Sequence, residues 1–283
     1  MSENHCNALP TLDRSLRACG LPMSEARMLM EAASGLDRVR QITYPETVLD
    51  ATSFAQFEAL VARRRLGEPI AYLLGRREFY GLELAVGPGV LIPRPETELL
   101  VDLALERLPL GKQCLVLDLG TGSGAIPLAI ASQRPDCTMT AVDVSPDALA
   151  IAERNGQCLG FAVRWCLSDW YDALQGEQFH LITSNPPYIA AGDWHLSEGD
   201  LRFEPIGALT DGADGLAHIR QIISEAGAHL YAEGWLLFEH GYDQAAACRQ
   251  LLQSHGFTAV QSWQDLAGIE RVTGGQLAAT ALR

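Results

Sequence analysis

The chain has 283 residues, 48% of them hydrophobic, which suits one large or two small packed domains and excludes a disordered or fibrous chain. Its formal net charge is −14 with Lys112 as the only lysine, and since ten arginines face eleven acidic residues up to position 85, −13 falls on the rest, which would repel a DNA duplex. No apolar stretch reaches the ~20 residues of a membrane span, and Met1-Ser2-Glu3-Asn4-His5 lacks the basic-then-apolar start of a secretory signal, so a cytoplasmic location is expected.

Residues 12–19 and 24–34 carry apolar side chains at helical spacing. Ser53-Phe54-Ala55-Gln56 has the pattern of a capping box, opening a helix that stops near Gly67. Residues 1–75 are therefore expected to form a small helical bundle without a catalytic constellation. Recognition of the substrate is its most economical role, and buttressing of the following sheet is the alternative. Arg63-Arg64-Arg65, Arg76-Arg77 and Arg94 stand out from the acidic background, either as solvated faces or as contacts to an acidic partner or to RNA bound to that partner. Residues 76–92 read as a strand-like linker with runs at 78–84 and 90–92.

From 93 to 283 the pattern becomes strand-then-helix. A strand at 114–119 leads into Gly120-Thr121-Gly122-Ser123-Gly124 and a helix from Ala125. Such a turn lets a ligand approach the backbone without a Cβ in the way, and the helix start presents unpaired N–H groups, so a nucleotide-like ligand fits there. The next strand, 137–142, delivers Asp143 nineteen residues after Gly124, the spacing at which a carboxylate meets ribose hydroxyls in a Rossmann-like site. Ser145-Pro146 supplies an N-cap and first-turn proline for a helix over 147–156. A third strand, 162–167, ends in Ser168-Asp169-Trp170, where Asp169 can accept from the exocyclic amine of an adenine and Trp170 can stack on it; an indole at a strand end can also be simply core. A fourth strand, 179–183, ends at Asn185-Pro186-Pro187-Tyr188.

That last segment suits the methylation of a planar nitrogen, whose lone pair is delocalised and whose protons need acceptors in their plane. Asn185 offers a side-chain oxygen, and Pro186 a carbonyl with no competing N–H. Two hydrogen bonds from a substrate NH2 to these oxygens would orient it and absorb developing positive charge. Consecutive prolines stiffen the loop, and Tyr188 adds a flat apolar face. The candidate substrate-binding set is thus Asn185, Pro186, Pro187 and Tyr188, with Asn185, Pro186 and Tyr188 in the catalytic role. A rigid post-strand turn is the bland alternative.

Gly120-Thr121-Gly122-Ser123-Gly124, Asp143, Asp169-Trp170 and Asn185-Pro186-Pro187-Tyr188, in that order, resemble the S-adenosylmethionine-dependent methyltransferases of the Rossmann-like class. Gly67-Glu68-Pro69-Ile70-Ala71-Tyr72, Pro93-Arg94-Pro95-Glu96-Thr97-Glu98, Phe203-Glu204-Pro205 and Glu239-His240-Gly241 narrow this to a resemblance to the peptide chain release factor glutamine methyltransferases (PrmC/HemK). The resemblance implies an α/β fold, a Rossmann-like domain with a mostly parallel seven-stranded sheet, preceded in the chain by the small N-terminal helical bundle. It also implies S-adenosylmethionine held by residues 120–124, Asp143, Asp169, Trp170 and Asn185, with S-adenosyl-L-homocysteine as product. The implied substrate is the glutamine of the Gly-Gly-Gln loop of termination factors, with neither nucleic acid nor membrane as a direct partner. A base-specific amino-methyltransferase, acting for example on adenine N6, shares this chemical core but would need to extract its base from the stack. A non-catalytic nucleotide-binding or NAD-dependent protein would have no use for Asn185-Pro186-Pro187-Tyr188.

Residues 189–215 form a long stretch rich in Gly, Asp and Glu, a candidate lid. A helix at 216–231, a strand at 235–240, a helix at 242–255 and strands at 259–263 and 270–273 complete the sheet. Glu239 and His240 are expected to orient or pack rather than to act as acid or base, because the methyl donor needs no activation. Gly274-Gly275-Gln276 repeats the presumed substrate tripeptide and is read as coincidence. Cysteines at 6, 19, 114, 137, 158, 166 and 248 are odd in number with no Cys-x-x-Cys, so reduced thiols and no metal site are expected.

Overall fold

The computed structural model describes residues 9–197 and 199–279. It divides into two compact units, 1–75 and 76–283.

The first unit is helical: α1 (Leu12–Ala18), α2 (Met23–Ser34), α3 (Arg38–Thr43), α4 (Ala51–Arg65) and α5 (Ile70–Leu74). Leu12, Leu16, Leu29, Met30, Phe57 and Val61 recur at helical spacing and form its core. The helix expected to open at Ser53 begins earlier. Asp50 is its cap, accepting the Ser53 N–H at 2.9 Å on one oxygen and the Ser53 hydroxyl at 2.6 Å on the other. A carboxylate outcompetes the hydroxyl because it accepts both hydrogen bonds with full charge at the positive end of the helix. The arginine triplet is spent inside this unit: Arg63 pairs with Glu68, Arg64 with Glu25, and Arg65 with the Cys19 carbonyl.

In the second unit, β1 (Arg76–Phe79) and β2 (Leu82–Ala85) form an antiparallel hairpin. Its turn residues, Tyr80 and Gly81, sit at φ +52° and +76°, as a two-residue turn with the twist of a hairpin demands. The single run expected over 78–84 is therefore two strands, and 90–92 is not a strand: the Ile92 N–H goes to Glu204 Oε2 at 3.0 Å. The main sheet and its helices follow with α6 (Glu98–Arg107), β3 (Leu115–Leu119), α7 (Ala125–Gln133), β4 (Thr138–Asp143), α8 (Pro146–Leu159), β5 (Val163–Leu167), β6 (Phe179–Ser184), α9 (Ala217–His229), β7 (Leu230–Glu239), α10 (Ala245–Ser254), β8 (Phe257–Gln264) and β9 (Glu270–Leu277). Ser145 caps α8 through the Ala148 N–H, as its sequence indicates.

The strand order is β5-β4-β3-β6-β7-β9-β8, parallel except for β9. Alternation along the strands sends Val116, Leu181 and Leu237 to the face covered by α6 and α7, and Leu117, Ile182, Leu236 and Phe238 to the face covered by α9 and α10. With both faces closed, the carboxyl ends of β3 to β7 and their loops are left to build a site. The helix expected to run to 231 gives way to β7 at Leu230, which pairs with Phe179. Gly274 and Gly275 are interior residues of β9. A Cβ on Gly274 would lie 2.4 Å from Leu237 Cδ2, and one on Gly275 3.1 Å from Phe257 Cβ. Packing accounts for both glycines of the tripeptide.

The 189–215 stretch is less irregular than expected. It holds three short 3-10 turns and a parallel bridge between Ile189 and Thr210. Asp211 gathers the N–H groups of Ala213, Gly215 and Ala217 at 2.8, 3.0 and 2.8 Å. Six cysteines fall among the described residues, all free thiols: Cys19, Cys114 and Cys248 are buried, Cys137 and Cys166 half-buried, and Cys158 exposed. Cys6 lies outside the described residues. Among the described residues no helix is long and apolar enough to cross a membrane.

Candidate active site

A cavity of about 280 Å³ opens at the carboxyl ends of β3 to β6. It gathers Gly120, Thr121, Gly122, Ser123, Asp143, Asp169, Trp170, Asn185 and Pro187 from four separate loops. Gly124, Pro186 and Tyr188 do not line it.

The glycine turn after β3 has Gly120, Gly122 and Gly124 at φ +68°, +56° and +81°, a region that costs other residues about 1–2 kcal/mol. The three differ in what a side chain would meet. At Gly122 a Cβ would meet open space, at Gly120 the Trp170 ring 3.5 Å away, and at Gly124 three side-chain atoms within 3.0–3.2 Å, from Trp165, Ala152 and Leu128. Gly122 thus leaves the cavity open, whereas Gly124 lets α7 and α8 pack. Asn155 of α8 fixes the turn from below, donating to the Ser123 carbonyl at 2.9 Å while exchanging hydrogen bonds with Ala85.

Asp143 ends β4 with its carboxylate held on both sides, accepting the Gly122 N–H at 2.8 Å and the Ser145 N–H at 2.9 Å. Burial pushes its pKa up, against these two donors. Asp118, at the end of β3 and 1% exposed, is also driven up by burial, to about 7, although the Thr183 hydroxyl donates to it at 2.9 Å. After β5, Trp170 sits at φ +45°, held by Ser168, whose hydroxyl donates to the Trp170 carbonyl and accepts the Ala173 N–H, both at 3.0 Å. The indole leans over Gly120 with His218 5.2 Å from its ring, and the Asp169 carboxylate beside it is exposed.

At the end of β6, Asn185 Nδ2 donates to Thr97 Oγ1 at 3.2 Å. The Thr97 hydroxyl donates to Glu239 Oε2 at 2.6 Å, and the Tyr188 hydroxyl to Glu239 Oε1 at 3.1 Å. Burial and the Glu239 carboxylate hold the Tyr188 phenol far above its usual pKa, which excludes a phenolate base. Gln244 secures the same loop, donating to the Tyr188 carbonyl at 2.9 Å. Across the cavity, Pro205, Gly207 and Ala208 of the long loop form the opposite wall, and Glu204 anchors them by pairing with Arg94. His240 is buried against the Gly241 carbonyl and Thr273 and does not line the cavity.

Residues 96–198 match the family model described as Methyltransferase small domain, and residues 8–75 the PrmC N-terminal domain. The release factor glutamine methyltransferase of Burkholderia pseudomallei is 54% identical over 93% of this chain and 94% of its own. That of Pseudomonas aeruginosa is 52% identical over 90% of this chain and 92% of its own. The chain belongs to the release factor glutamine methyltransferases. A solved methyltransferase from Pyrococcus furiosus shares the fold, with a TM-score of 0.54 at 19% identity over 77% of this chain and 97% of that one.

The cofactor is S-adenosylmethionine, and the cavity fits it: a turn left open at Gly122, a walled carboxylate at Asp143, and a flat ring with a free carboxylate at Trp170 and Asp169. Thr97, Glu204, Asn155 and Gln244 were invisible to sequence reasoning as site residues of this methyltransferase. Only the Pro-Arg-Pro-Glu-Thr-Glu and Phe-Glu-Pro segments around Thr97 and Glu204 hinted at two of them.

Proposed function

We propose that the enzyme transfers a methyl group from S-adenosylmethionine to the side-chain amide nitrogen of the glutamine in the Gly-Gly-Gln loop of peptide chain release factors. The observation that carries this reading is the place of Asn185. It lies in the wall of the same cavity as Gly120, Gly122, Asp143, Asp169 and Trp170, with its Nδ2 engaged by Thr97.

S-adenosylmethionine, when bound, supplies an electrophilic methyl group. Asp143 would hold its ribose hydroxyls, and Asp169 with Trp170 its adenine. Asn185 Oδ1 and the Pro186 carbonyl would accept the two amide hydrogens, setting the glutamine nitrogen in one plane and stabilising the positive charge that grows as it is alkylated. Tyr188, which does not line the cavity and whose hydroxyl is committed to Glu239, would serve by holding the segment in place. With both Glu239 oxygens occupied, no base is needed, since a quaternised amide nitrogen is acidic enough to release its proton to water.

The relatives' names support release factors as the substrate. The acidity of the catalytic part argues against nucleic acid as the acceptor. An enzyme acting on termination factors works where ribosomes do, in the cytoplasm. Residues 1–75 are proposed to read the folded factor; Val39, Ile42, Tyr44 and Val48 are 71%, 54%, 56% and 62% exposed within ten residues.

The test compares labelled S-adenosylmethionine turnover on an intact release factor, a Gly-Gly-Gln peptide, duplex DNA and RNA. The intact factor should be methylated efficiently and the peptide weakly, because the peptide bears the entropy of ordering and lacks the folded surface that residues 1–75 are proposed to read. Val39→Asp and Ile42→Asp should raise KM for the factor and leave the peptide unaffected. Preferred methylation of DNA or RNA would overturn the assignment.

A further inference from the structure

We propose that Glu239, acting through Thr97, is the positioning residue that sets which way round the Asn185 amide stands, so that Oδ1 and not Nδ2 faces the substrate nitrogen. The inference rests on the function proposed above. It follows from counting hydrogens. Burial pushes the Glu239 pKa up, against the Thr97 and Tyr188 hydroxyls that favour its ionised form; with that carboxylate ionised, the one hydrogen of the Thr97 hydroxyl lies on Glu239 Oε2 at 2.6 Å. Toward Asn185 the hydroxyl can then offer only lone pairs, so the group it meets at 3.2 Å must be the NH2 end of the amide.

The reverse orientation would set the Asn185 oxygen against a hydroxyl whose proton is already committed. It would also turn an NH2 group toward a substrate NH2, donor against donor, with no acceptor for the developing charge. The polarity is enforced from a dry position, since Glu239 is 1% and Thr97 4% exposed. An unpaired acceptor there would be costly. Glu239 spends its second oxygen on the Tyr188 hydroxyl at 3.1 Å. One carboxylate from the end of β7 therefore governs both ends of the Asn185-Pro186-Pro187-Tyr188 segment.

The test uses near-isosteric variants of the full chain, single-turnover methyl transfer to an intact release factor, and calorimetric titration with S-adenosylmethionine. Thr97→Val keeps the shape and removes the relay, whereas Thr97→Ser keeps the hydroxyl and loses a methyl group. Glu239→Gln supplies an NH2 that competes for the Thr97 or Tyr188 oxygen. Thr97→Val and Glu239→Gln should slow transfer by about 10- to 100-fold, the range seen when a residue that orients a metal ligand is lost. Their cofactor affinity should remain close to wild type, which also reports that they are folded.

Thr97→Ser should transfer methyl faster than Thr97→Val. A packing role makes the opposite ranking, because valine fills the site and serine leaves a void. Thr97→Val equal to or faster than Thr97→Ser, or losses that appear equally in cofactor binding, would overturn the proposal. A wild-type enzyme that methylates no glutamine would instead overturn the function on which it rests.

Discussion

Replacing Asp143 with alanine removes a carboxylate that does two things at once, and the structure allows their magnitudes to be separated. Within the protein it accepts the Gly122 and Ser145 N–H groups at 2.8 and 2.9 Å. Stranding two half-buried donors costs at most about 1–3 kcal/mol each. Relief from burying a charge, the cause of the raised Asp143 pKa, offsets part of this. The net stability loss should therefore be about 1–3 kcal/mol, below the sum of the two bonds. Toward the cofactor, charge-assisted bonds to the ribose are worth about 1.5–3 kcal/mol, a 10- to 150-fold rise in Kd. Calorimetric titration with S-adenosyl-L-homocysteine reads the total, and a cofactor analogue lacking the ribose hydroxyls isolates the direct part. Wild type should bind the analogue more weakly than the natural ligand, and Asp143→Ala should bind both nearly alike, as in a double-mutant cycle. If the substitution weakens both ligands equally, Asp143 acts only by holding the turn and the ribose assignment is refuted.

Asn185→Ala should lower the single-turnover rate on the order of 10²- to 10³-fold, as loss of a group acting at the transition state does, while Asn185→Asp, which keeps an acceptor, retains part of it; equal rates for alanine and wild type would refute the acceptor role. Asp118→Asn should stabilise the protein at pH 8 and have little effect near pH 4. The wild-type carboxyl is raised from 3.8 to about 7, so between those values the native state holds more protons than the unfolded one and stability falls as pH rises, by on the order of 4 kcal/mol across the window. Denaturant titrations of both proteins across pH check the sign, and a wild type that gains stability from pH 4 to 7 relative to the variant contradicts it. Gly124→Ala should destabilise by about 2 kcal/mol or more through clash and strain, whereas Gly122→Ala should lose about 1 kcal/mol of stability and proportionally more cofactor affinity. Melting curves with and without S-adenosylmethionine separate the two.

The parallel sheet was legible because its signals are local: short apolar strands, turn glycines, and caps such as Ser145 and Pro146 all lie within a few residues of what they govern. Candidate ligand-binding groups were legible for the same reason, since each follows its own strand and the fold sends all strand ends to one side. What escaped is long-range. Thr97 and Glu239 lie 142 residues apart, and Arg94 and Glu204 110. No periodicity announces that a turn before α6 will meet the end of β7. Competition between neighbours also misled: Asp50 displaces Ser53 as the cap of α4, and the hairpin at Tyr80 and Gly81 is concealed in what reads as one strand. The arginine triplet shows that a charge run can be consumed inside a bundle, because its partners Glu25 and Glu68 lie on other segments of the same unit.

The central claim, that this cavity methylates a glutamine side-chain amide, is tested most directly by tandem mass spectrometry of an intact release factor after one turnover with methyl-labelled S-adenosylmethionine. A single labelled methyl on the side-chain nitrogen of the Gly-Gly-Gln glutamine, strongly diminished at the same reaction time when Asn185→Ala replaces the enzyme, is the expected result. Label on a carboxylate, on a backbone or terminal nitrogen, or undiminished with Asn185→Ala would contradict it.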